Sequence, residues 1–390
     1  MDFFTEIKPN RFTLKTMNKT NLILVLLLLW FSFSNGQQKD TIYGQVKSIR
    51  EQLNFLDENQ QNMKLFSDEG DYGHHGFSSP KFTKSRFYKW WYNTPFVHYS
   101  NYYKEFNKKG KPTYEVWFYK NGDTVAFFNY KYDKNDNLIQ EKKYYEKDDY
   151  TVRNFKYAKN NKLKSTIYYA SDDPNLYSYS EFVYDENDNL IQSQDFNDDG
   201  ETYGTKYTHY PNGKIKEVIS YSPFKIIEKN KKRTLFKDGI GYDKLDRKFI
   251  YNENGEVIEI QSYDGEFYSE TAPKMKGKIL KEYLNGLLVK ETTLNRAGKI
   301  ERYTSYSYNQ ENQKTNEKYF VPEYPENNLS YEYHNDKNGN QVKLIYTEKN
   351  NPILVEFEYE FDHQNNWTKQ IKSVNGKKLF VWTREIEYYK

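Results

Sequence analysis

Tyr132-Asp133-Lys134-Asn135-Asp136-Asn137-Leu138-Ile139 recurs almost unchanged as Tyr184-Asp185-Glu186-Asn187-Asp188-Asn189-Leu190-Ile191. Each copy is an aromatic residue, a run of turn formers and an aliphatic pair. Looser copies start at Phe106, Tyr157, Tyr210, Tyr251, Tyr283, Tyr308, His334 and Phe361. Most steps between these anchors are 25 to 27 residues; the steps from 210 to 251 and from 251 to 283 are longer. A fixed period of this size signals a repeat architecture, and the fold follows from what one unit does.

In the unit around Tyr184, Tyr177 to Tyr184 alternates polar and aromatic residues with period two, as a half-buried strand does. Asp185 to Asn189 are residues that tolerate left-handed backbone and cap turns with their own side chains. Leu190 to Phe196 returns as a second strand, and Asn197-Asp198-Asp199-Gly200 launches the next unit. Pro211-Asn212-Gly213 and Asn254-Gly255 are tighter versions of the turn. Each repeat therefore predicts a hairpin, and the array an all-β antiparallel meander over 101–390. Ten units imply roughly 20 strands, about 100 Å of sheet at ~4.8 Å spacing. Open sheets of that width curl, so the expectation is a long twisted or spiralling sheet. The insert at 222–248, with its basic run Lys229, Lys231, Lys232 and Arg233, is expected to break or bend it.

Residues 37–100 do not follow the repeat. Ile42 to Ile49 reads as a first strand, and the region is expected to cap the exposed edge of the array. At the other end, Trp382 to Lys390 reads as a last strand whose Lys and Glu discourage edge pairing.

The N-terminus carries one apolar stretch, Leu22 to Phe33, preceded by Lys19 and followed by Ser34-Asn35-Gly36. It is too short for a bilayer span, which needs about 20 residues. Its order of basic residue, apolar run and small residues is that of a secretory signal peptide over 1–36. Met17 is the expected start, with cleavage after Gly36. The chain is then secreted, periplasmic or displayed on the outer cell surface, with no membrane span after cleavage. The absence of cysteine excludes disulfides and thiolate chemistry. Net charge is +3 for the whole chain and near zero once 1–36 are removed. That balance argues against a nucleic-acid partner. Aromatic residues make up 18% of the chain, 40 of them Tyr. Tyr combines a strand-favouring ring with a hydroxyl that tolerates water, which suits a thin sheet with partly wet faces.

The pairs Tyr132-Asp133 with Asn137-Leu138 and Tyr184-Asp185 with Asn189-Leu190 resemble the YD repeats of the RHS superfamily of secreted proteins of Gram-negative bacteria. Phe361-Asp362 with Asn366-Trp367 follows the same pattern. The resemblance implies a long spiralling sheet; relatives use theirs to enclose a toxin domain or are implicated in carbohydrate contact. Tyr210-Pro211-Asn212-Gly213 and Tyr283-Leu284-Asn285-Gly286 are in turn similar to MORN-like repeats.

Candidate chemistry is sparse. Asp195, Asn197 and Asp199 with Gly200 match the first half of a calcium loop, but Lys206 stands where the bidentate Glu belongs. Turn composition accounts for them, and no metal or other cofactor is expected. His74-His75 has no third ligand in reach of sequence reasoning. Asp148-Asp149, Asp172-Asp173 and Asp198-Asp199 recur at turns, which turn propensity explains without a glycosidase pair. The densest aromatic cluster, Phe87 to Tyr92 with Phe96, His98 and Tyr99, contains Trp90, Trp91 and Tyr92. These three are the candidate ligand-binding residues, as a cap or as a platform for sugar rings. The expectation is a non-catalytic binding or scaffold module of the cell envelope, with a surface glycan or envelope protein as partner. The alternatives are a carboxylate-dependent polysaccharide hydrolase and an immunity or accessory factor to a toxin.

Overall fold

The aspartate of the repeat builds its turn. In the computed structural model of the chain, Asp133 Oδ1 accepts the backbone N–H groups of Asn135 and Asn137 at 2.8 and 2.9 Å. Its backbone N–H donates to the Asn137 carbonyl, and Asp136 N–H donates back to the Asp133 carbonyl. Asp136 takes a left-handed conformation, φ 65°. The result is a type I turn followed by a bulge, the bulge falling between Lys131 and Tyr132. Asp185 repeats every one of these bonds with Asn187 and Asn189, and Asp188 sits at φ 62°. Hydrogen bonding to the charged form holds the Asp133 carboxyl below the ordinary range, chiefly through the Asn137 backbone. Asp185 is lowered in the same way, chiefly through the Asn189 side chain.

The structure describes residues 42–56, 87–88, 100–118, 122–172, 177–197, 202–222, 225–229, 232–236, 242–264, 273–349 and 351–390. Strands β1 (Val46–Phe55), β2 (Ser100–Phe106), β3 (Pro112–Phe118), β4 (Thr124–Tyr132), β5 (Leu138–Tyr144) and β6 (Tyr150–Tyr157) come first. They are followed by β7 (Leu163–Ala170), β8 (Tyr177–Tyr184), β9 (Leu190–Asn197), β10 (Thr202–His209), β11 (Ile215–Ser222) and a short pair, β12 (Lys225–Lys229) with β13 (Lys232–Phe236). The main sheet resumes with β14 (Tyr242–Tyr251), β15 (Val257–Asp264), β16 (Lys274–Leu284), β17 (Leu287–Asn295), β18 (Ile300–Tyr308) and β19 (Lys314–Phe320). It ends with β20 (Leu329–Asn335), β21 (Gln341–Glu348), β22 (Asn351–Phe361), β23 (Trp367–Val374) and β24 (Lys377–Tyr388).

The meander is as the repeat predicts, but it does not end in free edges. Twenty-two strands pair antiparallel with their chain neighbours, and β1 pairs with β2 on one side and β24 on the other. The sheet therefore closes into a 22-stranded barrel; at ~4.8 Å per strand and a tilt of about 40° its diameter is roughly 45 Å. This corrects three expectations. The open spiral is replaced by a ring, because closure satisfies the backbone groups that edges leave unpaired. The N-terminal strand does not cap an edge but removes it, and it runs over Val46–Phe55 rather than Ile42 to Ile49. The Lys- and Glu-bearing last strand is paired on both sides. The insert at 222–248 does not break the sheet either: β11 pairs directly with β14, and β12 and β13 form a separate hairpin between them.

The seam is clasped at one rim. Tyr43 N–H donates to Asn366 Oδ1 at 2.7 Å, and Asn366 Nδ2 donates to the Tyr43 carbonyl at 2.8 Å. Tyr388 hydroxyl donates to Asp362 Oδ2 in the same cluster. Gly44 must be glycine: its φ is +87°, and a Cβ would lie 2.9 Å from the Tyr388 ring.

Tyr serves a purpose that Phe cannot. The hydroxyl of the anchor Tyr132 donates to the Pro112 carbonyl at 2.8 Å, Tyr157 to Leu138 at 3.0 Å, Tyr251 to Ile215 at 3.0 Å and Tyr308 to Leu288 at 2.8 Å. In each case the last residue of one hairpin's first strand reaches the start of the preceding hairpin's second strand. Lysines lie over many of the remaining rings, as Lys142 does at 3.5 Å from Tyr150. Tyr157→Phe should therefore cost about 1 kcal/mol with no change of fold, the worth of one hydrogen bond. A urea midpoint equal to wild type would show that the bond is idle.

Over most of the ring the sheet is a single layer with both faces half-buried, as on β5, β15 and β19. A packed core occurs in one sector only among the described residues. There, one face of β1 and β20 to β24 packs around Phe87, with Leu53, Leu344, Val355, Phe380 and Trp382 at its centre.

Candidate functional site

The packed sector holds polar groups that a simple apolar core would not. Directly opposite residues of antiparallel strands share a face, and Glu51 lies opposite Arg384 in the β1–β24 ladder. Their side chains are 1% and 0% exposed. Arg384 Nε and Nη2 donate to Glu51 Oε1 at 2.9 and 2.8 Å, and the guanidinium lies 3.5 Å over the Trp367 ring. Two rows away on the same face, Lys372 on β23 faces Phe380 on β24 and Phe357 on β22.

Lys372 is fully buried. Its ammonium donates to the Phe87 carbonyl at 2.6 Å and lies 5.4 to 5.9 Å from the rings of Phe87, Phe357 and Phe380. Loss of hydration pushes its pKa down to about 7. Tyr88 hydroxyl donates to Gln370 Oε1 at 2.6 Å, and Gln341 Nε2 donates to the Tyr88 carbonyl at 3.1 Å. Phe87 also meets Trp382 edge-on at 5.0 Å. Residues 87 and 88 are thus pinned to β21, β22, β23 and β24 by three hydrogen bonds and by ring packing. Phe87→Ala should cost ~3–5 kcal/mol and should expose Trp382 to acrylamide quenching. Unchanged stability and quenching would mean that the pin carries no load.

The topology also sorts the connections. All turns led by the repeat's anchors lie at one rim, where successive turns are tied by side chains. Lys109 binds Asp136 at 2.7 Å, Asn160 Nδ2 donates to Asp188 at 2.6 Å and Lys214 donates to the Gly255 carbonyl at 2.5 Å. The long departures from the repeat leave the opposite rim: 56–99 between β1 and β2, 223–241 between β11 and β14, and 265–273 between β15 and β16.

Of the residues singled out from sequence, Trp90, Trp91 and Tyr92 lie outside the described residues, as do His74, His75, Asp199 and the segment 1–36. Trp90, Trp91, Tyr92, His74 and His75 belong by sequence to the connection that Phe87 and Tyr88 pin. Asp195 and Asn197 are on strand β9, and Asp195 accepts a bond from Ser180 across the ladder at 2.5 Å. They are ladder residues rather than a loop. Asp148 and Asp149 sit between β5 and β6, Asp172 after β7, in separate connections. A cavity of about 420 Å³ on β3 to β7 is lined by Thr113, Tyr130, Gln140, Lys142, Tyr144 and Tyr150 among others and has no carboxylate in its wall. Sequence reading missed Glu51, Gln370, Lys372 and Arg384. The available signal was a charged residue at an apolar-facing position of an alternating strand, as in Leu379-Phe380-Val381-Trp382-Thr383-Arg384.

No family model matches the chain, and no curated protein matches it. Among solved structures, a chain of the TcdB2-TccC3-Cdc42 crystal structure is similar over 72% of this chain and 19% of its own length, at 12% identity and a TM-score of 0.24. This chain thus spans about a fifth of that one. A porin-like protein from Bacteroides uniformis is similar over 88% of this chain and 98% of its own, at 10% identity and a TM-score of 0.25. A second porin-like protein, from Bacteroides vulgatus, is similar over 61% and 94%, at 9% identity and a TM-score of 0.21.

Proposed function

We propose that the protein is a secreted, non-catalytic binding module of the cell envelope. In this reading the ring is a scaffold, its irregular rim carries the contact residues, and the partner is a surface glycan. The observation that carries it is the pin: the connection bearing Trp90, Trp91 and Tyr92 is fastened two residues earlier by Lys372, Gln370 and Gln341. A recognition segment that starts from a fixed point loses less freedom on binding, and flat aromatic faces suit sugar rings.

The composition of the ring supports an aqueous setting. On β5 and β6, Glu141, Lys143 and Arg153 share one face while Gln140, Lys142 and Asn154 share the other. A barrel in lipid turns a continuous apolar band outward, and neither face offers one there. The non-catalytic reading is supported by the use of carboxylates in turns and ion pairs, such as Asp133, Asp185 and Glu51.

Titrating the protein with a panel of envelope polysaccharides while following Trp fluorescence tests the proposal. One or more should shift the emission, and Trp90→Ala with Trp91→Ala should weaken that binding at least ~10-fold, the loss of a buried aromatic anchor. No response to any glycan, or a response indifferent to the two substitutions, would sink it.

A further inference from the structure

Strand β1 differs from every other strand of the ring in how it is attached. Its connection to β2, residues 56–99, is the longest in the ring: 223–241 joins β11 to β14, 265–273 joins β15 to β16, and most other neighbours are joined by shorter turns. Phe87 and Tyr88 pin that connection to the wall formed by β21, β22 and β23. Between β1 and the pin lie residues 57–86, which as a chain reach up to ~100 Å. That exceeds the ring diameter of roughly 45 Å. A chain of that length is long enough for β1 to reach a seat on another copy, and the ladders and side chains of β1 define the seat it takes.

The seat is specific. It lies between β2 and β24, both antiparallel to the incoming strand. It takes Ile49, Glu51, Leu53 and Phe55 on its packed face, and Arg384 recognises the one acidic residue among them. An empty seat would leave two long strand edges open, the condition under which strands are exchanged between copies.

We infer that β1 is an exchangeable closing strand, and that the seat between β2 and β24 accepts β1 from a second copy of this chain. Reciprocal exchange closes both rings with the same contacts that each makes alone, so its extent is set by concentration. A tethered strand competes at an effective concentration on the order of millimolar, and exchange becomes comparable only as the chain itself nears that range.

The cysteine-free sequence permits a direct test. Gln52 and Thr383 are paired across the β1–β24 ladder, and both side chains are only half-buried. The full chain carrying Gln52→Cys and Thr383→Cys is incubated at about 10 µM and at about 1 mM, the range set by the tether, then oxidised and run on a non-reducing gel. The expected result is an internal bond at the low concentration and a covalent dimer, comparable in amount, at the high one. Chains with either cysteine alone should remain monomeric. An internal bond alone at both concentrations would overturn the inference, as would equal dimer from the single-cysteine chains. Should the double variant fail to fold, wild-type chains with two different tags are mixed at about 1 mM and diluted; recovery of mixed dimers supports exchange, and recovery of none refutes it.

Discussion

Arg384→Met is expected to lower the stability of the ring by about 3–5 kcal/mol, because it leaves the Glu51 carboxylate buried without its partner. The pair sits on the seam strand and on the last strand, so the loss falls on closure itself. Glu51→Met with Arg384→Met should recover most of the loss, since an apolar pair of similar volume avoids the desolvation that the ion pair must offset. The Arg384 guanidinium also covers the Trp367 ring, and Met retains part of that contact. Urea unfolding of the two single variants and the double variant measures the coupling. If the double variant is as unstable as the sum of the singles, the pair is not the link between β1 and β24 described above.

The other large effect concerns pH and Lys372. Its folded-state pKa of about 7 lies well below the ~10.4 of an unfolded lysine. Between those values the unfolded chain holds a proton that the folded chain has released, so stability rises with pH by up to ~1.4 kcal/mol per unit. The total over the window is roughly 4–5 kcal/mol, largely spent at and below pH 7 in keeping the ammonium out of water. Above pH ~10 the tyrosines act in the opposite direction. Burial raises Tyr132, Tyr157, Tyr251 and Tyr308, and Tyr388 is pushed up to about 12 by burial and by Asp362. The folded chain then keeps protons that the unfolded chain loses, and stability falls. Urea midpoints should therefore climb from pH 6 to a maximum near 9–10 and drop beyond it. Lys372→Met should remove the climb and keep the drop. Parallel profiles for wild type and Lys372→Met would show that the buried charge does not control the sector.

Much of this fold is legible in the chain because its determinants are local. The Asp133 turn, its copy at Asp185 and the period-two strands on either side need only neighbouring residues, and the structure follows them. The anchor tyrosines were readable as half-wet residues, yet their hydroxyl bonds to the preceding hairpin depend on the lateral shift between neighbours. Closure was not legible. It depends on β1 meeting β24 across almost the whole chain, and nothing in the alternation of Val46–Phe55 says which strand it will join. The buried Lys372 and Arg384 were hidden for a related reason. In a sequence with 29% charged residues, a lysine or arginine on a strand reads as a solvated face until the ring and the pinned Phe87 cover it.

Hydrogen exchange at the seam tests the closed ring most directly. With β1 seated between β2 and β24, backbone amides along Tyr102–Glu105 and Phe380–Thr383 have ladder partners on both sides. They should exchange as slowly as those of interior strands such as β6 and β7. Fast exchange at alternate residues of β2 and β24, the pattern of a free sheet edge, would contradict closure and return the sheet to an open spiral.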